Sequence, residues 1–352
     1  MTEIKDFFGA PTGPQKSRME DFFGKPKHTS DIVGNILKNL HIVTTDIGMY
    51  LYDEKHGVYE LSDKLFIESL VEKQARSMGA NTTIRSSNER FDLISLRTYN
   101  PDIKERPEIV NVKNGLLNMK TGELTEHTPA YFSTVQIPVT YDPNAKCPTI
   151  LKFLKEIIFL EDIPMIQEFV GYTLYRGYPV AKALLLFGEE FTGKSTFMHL
   201  VGALLGKNNT MVSTPRMFTY YYAGSVGKLA TFFYTSTYEY KRTPRVLKQL
   251  IEGEQVIGRI NKFGPKITFT NTAKFIFSMD KNTKKPRPLD FKDHFLIVPF
   301  PHEISEAEED RRILEKLTTP EELSGFLNWS IEGLQRLMDN GFVFSSTAEN
   351  YE

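Results

Sequence analysis

The strongest constraint on the fold is a glycine-rich loop between an apolar run and a helical pattern. Residues 188–195 have the sequence GEEFTGKS, which fits G-x-x-x-x-G-K-[ST] at every fixed position. A predicted strand at 183–187 precedes the loop, and a predicted helix at 194–205 follows it. In such a loop, glycines let backbone N–H groups turn onto phosphate, the lysine reaches the β- and γ-phosphates, and the serine offers its hydroxyl to Mg²⁺. The alternative is a chance match in a surface turn.

This arrangement predicts ATP and Mg²⁺ as cofactors, with Ser195 as the metal-binding residue. The second and third apolar strands are predicted at 229–234 and 274–279, at the spacing of an α/β nucleotide-binding core. The predicted nucleotide-binding residues are Gly188, Glu189, Glu190, Phe191, Thr192, Gly193, Lys194, Ser195 and Thr196.

Composition excludes several classes of protein. The 352 residues include 43 Lys or Arg and 44 Asp or Glu, so a wholly basic nucleic-acid coat and an acidic disordered tail are excluded. The single cysteine, Cys147, excludes an internal disulfide and a multi-cysteine zinc site, and the seven histidines lack ligand spacing. Apolar runs are only strand length, so we expect no membrane association. We expect a cytoplasmic protein, or a nuclear one in a eukaryotic host.

The predicted fold class is α/β, with a small N-terminal α+β domain and helical elements around the nucleotide-binding core. The predicted segments are a flexible tail at 1–30, an α+β domain at 31–147, a helical connector at 148–176, the core at 177–302 and a helical segment at 303–352.

Charge is concentrated in the segment 241–287, which holds twelve Lys or Arg and three acids. Within it, alternating apolar and polar residues predict a β-hairpin around 261–266. A cation beside an aromatic residue at a hairpin tip suits sequence-independent binding to a nucleic-acid strand. The alternative is a solvated basic hairpin. The candidate DNA-binding residues are Arg259, Lys262, Phe263 and Lys266.

The tail repeats one short element. Residues 4–11 (IKDFFGAP) recur fifteen residues later as 19–26 (MEDFFGKP), with five of eight positions identical. In each copy an aliphatic residue and two phenylalanines have the i, i+3, i+4 spacing of one helical face. This favours an external partner, although the tail could instead dock on its own globular domain. The residues concerned are Ile4, Phe7, Phe8, Met19, Phe22 and Phe23.

From about residue 50 to 345, the order of motifs resembles the helicase part of viral and plasmid primase-helicases of the poxvirus and phage type, within superfamily 3. The matching sequence segments are YLYD at 50–53, VKNGLLNMKTGEL at 112–124, YDPNAKCP at 141–148, the phosphate loop, LKQLIEGE at 247–254 and EELSGFLNWSIEGLQRL at 321–337. The resemblance implies an AAA+ core, a homo-hexameric ring, movement along single-stranded or forked DNA, and DNA gripping by the basic hairpin.

Three positions depart from that family's pattern. Thr235 stands where the family has an acid after the second strand, and Glu239 is the nearest candidate, unless it is only a solvated loop carboxylate. Asp280 stands in place of a sensor asparagine, and His294 in place of an arginine finger. Histidine cannot form the bidentate clamp of a guanidinium, so fast hydrolysis is not expected. The candidate catalytic residues are Lys194, Glu239, Asp280 and His294.

The two FF elements resemble the PCNA sliding-clamp interaction motif, without its leading glutamine. Two copies could engage two clamp subunits and gain avidity. The leading hypothesis is an ATP-dependent DNA helicase or translocase that acts in DNA replication of a virus, plasmid or integrated element and is recruited to PCNA. The alternatives are an ATP- and DNA-binding replication adaptor or initiator that has lost turnover, and a regulator that competes with other clamp clients.

Overall fold

The computed structural model describes residues 29–80, 82–214, 218, 220, 222–235, 244–259, 266–280, 292–303 and 310–345. These residues form two compact units. The first comprises 29–52 and 60–102, and the second comprises 53–59 and the described residues from 103 onward. Within these ranges, no helix is both long and apolar enough to span a bilayer. The tail motifs, Glu239 and the hairpin tip with Lys262 and Phe263 lie outside the described residues.

The first unit is a small α+β fold. Strands β1 (Ile42–Thr44), β2 (Met49–Asp53) and β3 (Val58–Leu61) form one sheet, in which β1 and β2 are antiparallel; its residues 53, 58 and 59 are counted with the second unit. Its helices are α1 (Thr29–Asn39), α2 (Lys64–Ser77) and α3 (Ile84–Thr98). Aliphatic residues recur at helical spacing on α1 and α2, and these apolar faces pack into one cluster together with Ile94 of α3.

The second unit begins with an antiparallel three-stranded sheet. Its strands are β4 (Ile109–Val112), β5 (Gly115–Asn118) and β6 (Leu124–Thr125). The apolar side chains of 110–139 lie in the same buried cluster as those of the helices that follow. The structure therefore groups 103–147 with the nucleotide-binding core, whereas the sequence pattern grouped this segment with 31–102. The difference arises because the same alternating pattern forms a sheet against any apolar partner, wherever that partner lies in the chain.

A five-stranded parallel sheet forms the centre of the second unit. Its strands are β7 (Ala183–Gly188), β8 (Thr210–Ser213), β9 (Ala230–Thr235), β12 (Lys274–Asp280) and β13 (Phe295–Phe300), in the spatial order β13-β7-β12-β9-β8. β7 and β12 are buried almost along their whole length, which explains their continuous apolar runs. A separate hairpin consists of β10 (Gln255–Arg259) and β11 (Lys266–Thr270).

Among the described residues, six helices accompany this sheet. They are α4 (Pro148–Ile157), α5 (Ile163–Leu174), α6 (Lys194–Leu205), α7 (Pro244–Ile251), α8 (Ile313–Leu317) and α9 (Pro320–Asp339). Short 3₁₀ turns occur at Leu160–Asp162, Lys207–Asn209, Tyr222–Ser225 and Lys292–His294.

A buried carboxylate links α9 to the start of α4. Glu322 accepts hydrogen bonds from the backbone N–H groups of Thr149 (3.1 Å) and Ile150 (3.0 Å). These N–H groups lie in the first turn of α4 and have no partner within the helix, so the carboxylate satisfies them and complements the helix dipole. Cys147, the residue that precedes α4, is buried. Its burial is the main cause, and the negative charge of Glu322 the second, that raises the pKa of its thiol to about 12. The thiol therefore stays protonated, in agreement with a packing role.

Helices α5 and α9 approach each other closely at a glycine. A Cβ atom on Gly171 would lie 2.1 Å from the carbonyl oxygen of Ser330 and 2.8 Å from the Cβ of Leu334. A Cβ atom on Gly202 of α6 would instead lie 3.7 Å from the nearest atom, a ring carbon of Phe232. Glycine at 171 is thus required by packing, and glycine at 202 is not.

We expect Gly171→Ala to lower the free energy of unfolding by about 1–3 kcal/mol, because the helix backbones must separate to admit a methyl group. Gly202→Ala is the matched control and should change it by less than about 1 kcal/mol, in the stabilising direction, because alanine favours the helix. Urea denaturation followed by circular dichroism measures both. A Gly171→Ala protein as stable as the wild type would contradict the close packing of α5 and α9.

Candidate functional site

The glycine-rich loop connects the end of β7 to the start of α6. Gly188 is the last residue of β7, and α6 begins at Lys194. Gly193 has a φ of +88°, and a Cβ atom there would lie 2.9 Å from Ile157, the last residue of α4. Glycine is therefore needed both for the left-handed backbone and for the contact. The predicted strand at 183–187 and helix at 194–205 are both confirmed.

The tip of the loop presents an aromatic side chain to solvent. Phe191 has a φ of +59° and is 74% exposed. A bulky residue in this conformation is uncommon and costs free energy unless the surrounding backbone fixes it. Thr192 helps to fix the backbone around Phe191, because its hydroxyl donates a hydrogen bond to the carbonyl oxygen of Glu189 at 2.9 Å.

Lys194 is buried beneath the loop. Its ammonium group donates to the carbonyl oxygens of Gly188 (2.9 Å) and Glu189, and it lies 3.3 Å from the hydroxyl of Thr192. It also forms an ion pair with Asp280, whose Oδ1 lies 3.2 Å from the lysine Nζ. The lysine thus stands at the base of the loop, with a carboxylate beside it.

These residues line a pocket of about 610 Å³. This volume is in the range of small-molecule and cofactor sites. The start of α6 opens into it with no side chain capping the helix, so the backbone N–H groups of the first turn face the pocket. The lining residues are Glu190, Phe191, Thr192, Gly193, Lys194, Ser195, Thr196, Tyr234, Ser278 and Asp280.

The carboxyl ends of β9 and β12 supply the opposite wall. β12 lies between β7 and β9, and Asp280 at its end pairs in register with Gly188. Tyr234 and Ser278 pair with each other across β9 and β12. Burial raises the pKa of Tyr234, so its phenol stays protonated at neutral pH and offers a hydrogen-bond donor.

The sequence analysis did not name Tyr234 or Ser278 as site residues. A usable signal was present, because both lie near the ends of apolar strands, and ligands of open α/β sheets bind at the carboxyl ends of the strands. Asp280, named as a replacement for a sensor asparagine, is brought to the pocket with Lys194 and Ser195.

The donor atoms at the pocket fit a magnesium ion bound together with phosphate. Ser195 supplies a hydroxyl, and Asp280 and Glu190 supply carboxylates, which are the oxygen ligands that Mg²⁺ prefers. Within the described ranges, no group of three or more His, Cys, Asp or Glu residues could hold a metal by itself. This is compatible with Mg²⁺, which is commonly held by one or two carboxylates plus substrate phosphates.

His294 lies away from this pocket. β13 runs parallel to β7, with Phe300 opposite Gly188, so His294 before Phe295 is at the opposite edge of the sheet, roughly 20 Å away at 3.3 Å per residue. Its Nε2 lies 3.0 Å from Oε1 of Glu252. The structure therefore does not bring His294 together with Lys194 and Asp280 in one chain.

The basic hairpin has one buried and one exposed face. On β10 the side chains alternate, with Val256 and Gly258 buried and Arg259 exposed. Arg259 pairs directly with Lys266 of β11, which is also exposed. Two cations opposite each other destabilise a hairpin in water, and a bound polyanion would relieve their repulsion. The predicted hairpin is confirmed as to its strands.

Two families match segments of the chain. Residues 35–159 match a family described as D5 N terminal like. Residues 186–294, which contain the phosphate loop, match a family described as one of unknown function, DUF5906. No curated protein matches the chain.

Solved structures of the C-terminal region of NrS-1 are similar to most of this chain. An A-form apo structure has a TM-score of 0.57 at 12% identity, over 86% of this chain and 70% of that one. A second apo structure has a TM-score of 0.54 at 12% identity, over 92% and 76%. The chain therefore carries a D5 N terminal like segment and shares its fold with the C-terminal region of NrS-1.

Proposed function

We propose that this protein is an ATP-dependent DNA helicase or translocase that acts in the replication of a virus, plasmid or integrated element. The observation that carries the proposal is the convergence of Lys194, Ser195 and Asp280 with the start of α6 on one pocket at the carboxyl edge of a parallel sheet. A buried lysine, uncapped helical N–H groups and oxygen ligands are what a triphosphate with magnesium requires.

The comparisons support a role in viral DNA replication. The D5 N terminal like match at 35–159 includes the first part, 50–159, of the region that resembles viral primase-helicases, and the NrS-1 likeness covers 86% of this chain. The second unit would then be an AAA+ P-loop core of the superfamily 3 type.

Different groups of the chain would bind the phosphates of ATP, hold the metal ion and position the attacking water. Backbone N–H groups of 188–196 bind the phosphates, and Lys194 leaves its loop carbonyls to reach the terminal phosphates. Mg²⁺, when bound, neutralises charge on the phosphate oxygens. Ser195 would hold it from the first turn of α6. Glu239, which is outside the described residues, is the candidate to position the attacking water.

The basic hairpin would grip DNA. Arg259 and Lys266 contact phosphates on its exposed face, and Lys262 and Phe263 would lie at the tip. Ile257, which is 61% exposed on the same face, offers an apolar contact to a base or sugar. Such contacts are independent of sequence, as a translocase requires.

The assembly would be a homo-hexameric ring tethered to PCNA by the two FF elements. In a ring, His294 would act on the nucleotide of a neighbouring subunit, since it lies far from the pocket of its own chain. Its partner Glu252 would have to release it.

A replication adaptor or initiator that binds ATP without turnover is the second candidate. The observation that favours it is the end of β9, where Tyr234 and Thr235 stand and where the resemblance implies an acid. Binding without hydrolysis would identify this function.

We expect Lys194→Ala to abolish ATP hydrolysis stimulated by single-stranded DNA, with a loss of roughly 10²-fold or more, because the positive charge at the phosphates is removed. Phosphate release measured with and without DNA tests this. Arg85→Ala is the control, because this arginine is exposed on α3 of the first unit and does not line the pocket. Equal hydrolysis by the wild type and Lys194→Ala would refute catalysis at this pocket. ATP binding by a wild type that shows no turnover would favour the adaptor.

We expect Arg259→Gln and Lys266→Gln each to weaken single-stranded DNA binding equally across sequences. Each should also reduce the slope of log affinity against log salt by about 0.7, because one phosphate contact is lost. Fluorescence anisotropy over a salt series measures both quantities, and Arg85→Gln, at an exposed cation of the first unit, is the control. An unchanged slope in both variants would show that the hairpin does not contact the DNA backbone.

We expect replacement of Phe7, Phe8, Phe22 and Phe23 by alanine to abolish binding to PCNA, because the aromatic anchors of both FF elements are removed. Replacement of one pair alone should leave weaker binding, since avidity is lost. Surface plasmon resonance with immobilised PCNA measures this in the full chain. Wild-type protein that does not bind PCNA would remove this part of the proposal.

A further inference from the structure

Strand β12 ends in a carboxylate, whereas the described residues of strand β9 include none. The described strand β9 has the sequence ATFFYT and ends at Thr235. β12 lies between β9 and β7 and ends at Asp280. Of the described residues that line the pocket, only Asp280 and Glu190 carry carboxylates.

The register of the strands favours Asp280 over any residue at the end of β9. Asp280 is opposite Gly188, where the phosphate loop begins, whereas Thr235 is opposite Met279. Neighbouring strands are about 4.8 Å apart, so Asp280 is one strand spacing from β7 and Thr235 is two. The side chain of Asp280 therefore reaches the loop directly.

The contact with Lys194 shows that the carboxylate reaches the base of the loop. Asp280 Oδ1 lies 3.2 Å from Lys194 Nζ, and Ser195 is the next residue of α6. The lysine also donates to loop carbonyls, so its three donors are shared among several acceptors. When a phosphate draws the ammonium group away, the carboxylate of Asp280 lies close to the phosphates, where a cation would reduce the repulsion between the negative charges.

Resting on the proposed ATP binding, we propose that Asp280 is the magnesium-side carboxylate of this pocket. It takes the place of the acid that the resemblance implies at the end of β9, and it does not act as a variant of the sensor asparagine. Ser195 and Asp280 then face the cation from α6 and β12, and the phosphates of ATP supply further oxygen ligands.

This assignment has a thermodynamic consequence for binding. Without a cation, the carboxylate repels the triphosphate and competes for Lys194, so metal-free ATP binds weakly. With Mg²⁺, the same carboxylate becomes attractive. Asp280 thus makes the binding of ATP and Mg²⁺ mutually dependent, and the coupling can be measured without catalysis.

The test is calorimetric titration of ATP into the full chain, in Mg²⁺ and in excess chelator, for wild type and Asp280→Asn. The asparagine is nearly isosteric and lacks the charge. We expect it to leave metal-free ATP affinity equal or higher and to reduce the enhancement by Mg²⁺ by at least about tenfold. Asp280→Glu, which keeps the charge, should retain most of the enhancement.

Two further variants separate the alternatives. Glu190→Gln removes the other pocket carboxylate, and Glu89→Gln removes an exposed carboxylate of the first unit. Glu89→Gln should keep the Mg²⁺ enhancement, and Glu190→Gln should reduce it less than Asp280→Asn does. A loss in Glu190→Gln with retention in Asp280→Asn would overturn the proposal, as would equal retention in all variants. Asp280→Ala serves if Asp280→Asn does not fold.

Hydrolysis gives an independent discrimination. A sensor variant would gain rate in Asp280→Asn, which restores the asparagine of the related family, whereas a metal-side carboxylate would lose it. A faster Asp280→Asn protein therefore refutes the proposal. If the wild type binds no ATP in either condition, the proposed function itself fails, and that result is distinct from ATP binding without Mg²⁺ coupling.

Discussion

The position of β12 between β7 and β9 is the constraint on which the site depends. Parallel pairing in register brings the ends of the two strands together, so Gly188 and Asp280 become neighbours although 92 positions separate them in the chain. The lysine that follows the loop then meets a carboxylate within ion-pair distance. A slip of one residue would turn Asp280 to the other face of the sheet and remove that contact.

The local elements of the core could be predicted from the sequence because their signals are short-range. The loop, the strand before it and the helix after it follow from one motif and its apolar flanks, and so do the strands of the basic hairpin. The segment 148–176, which was expected to be helical, contains α4 and α5 with a 3₁₀ turn at Leu160–Asp162 between them.

Long-range pairing could not be predicted in the same way. The strand order depends on contacts between residues far apart in the chain, and no local pattern records it. For the same reason, Tyr234 and Ser278 were not recognised as pocket residues. Helix α3 was not predicted because few of its positions are apolar. Strand β13 was not predicted because its apolar run follows a basic segment.

Helix α4 connects the phosphate loop to helix α9. Its first turn is held by Glu322 of α9, and its last residue, Ile157, lies under Gly193. Ten residues of α-helix form a rigid rod of about 15 Å. A displacement of α9 would therefore move α4 and shift Ile157 against Gly193 of the phosphate loop. A partner that binds and moves α9 would in this way change the affinity for nucleotide.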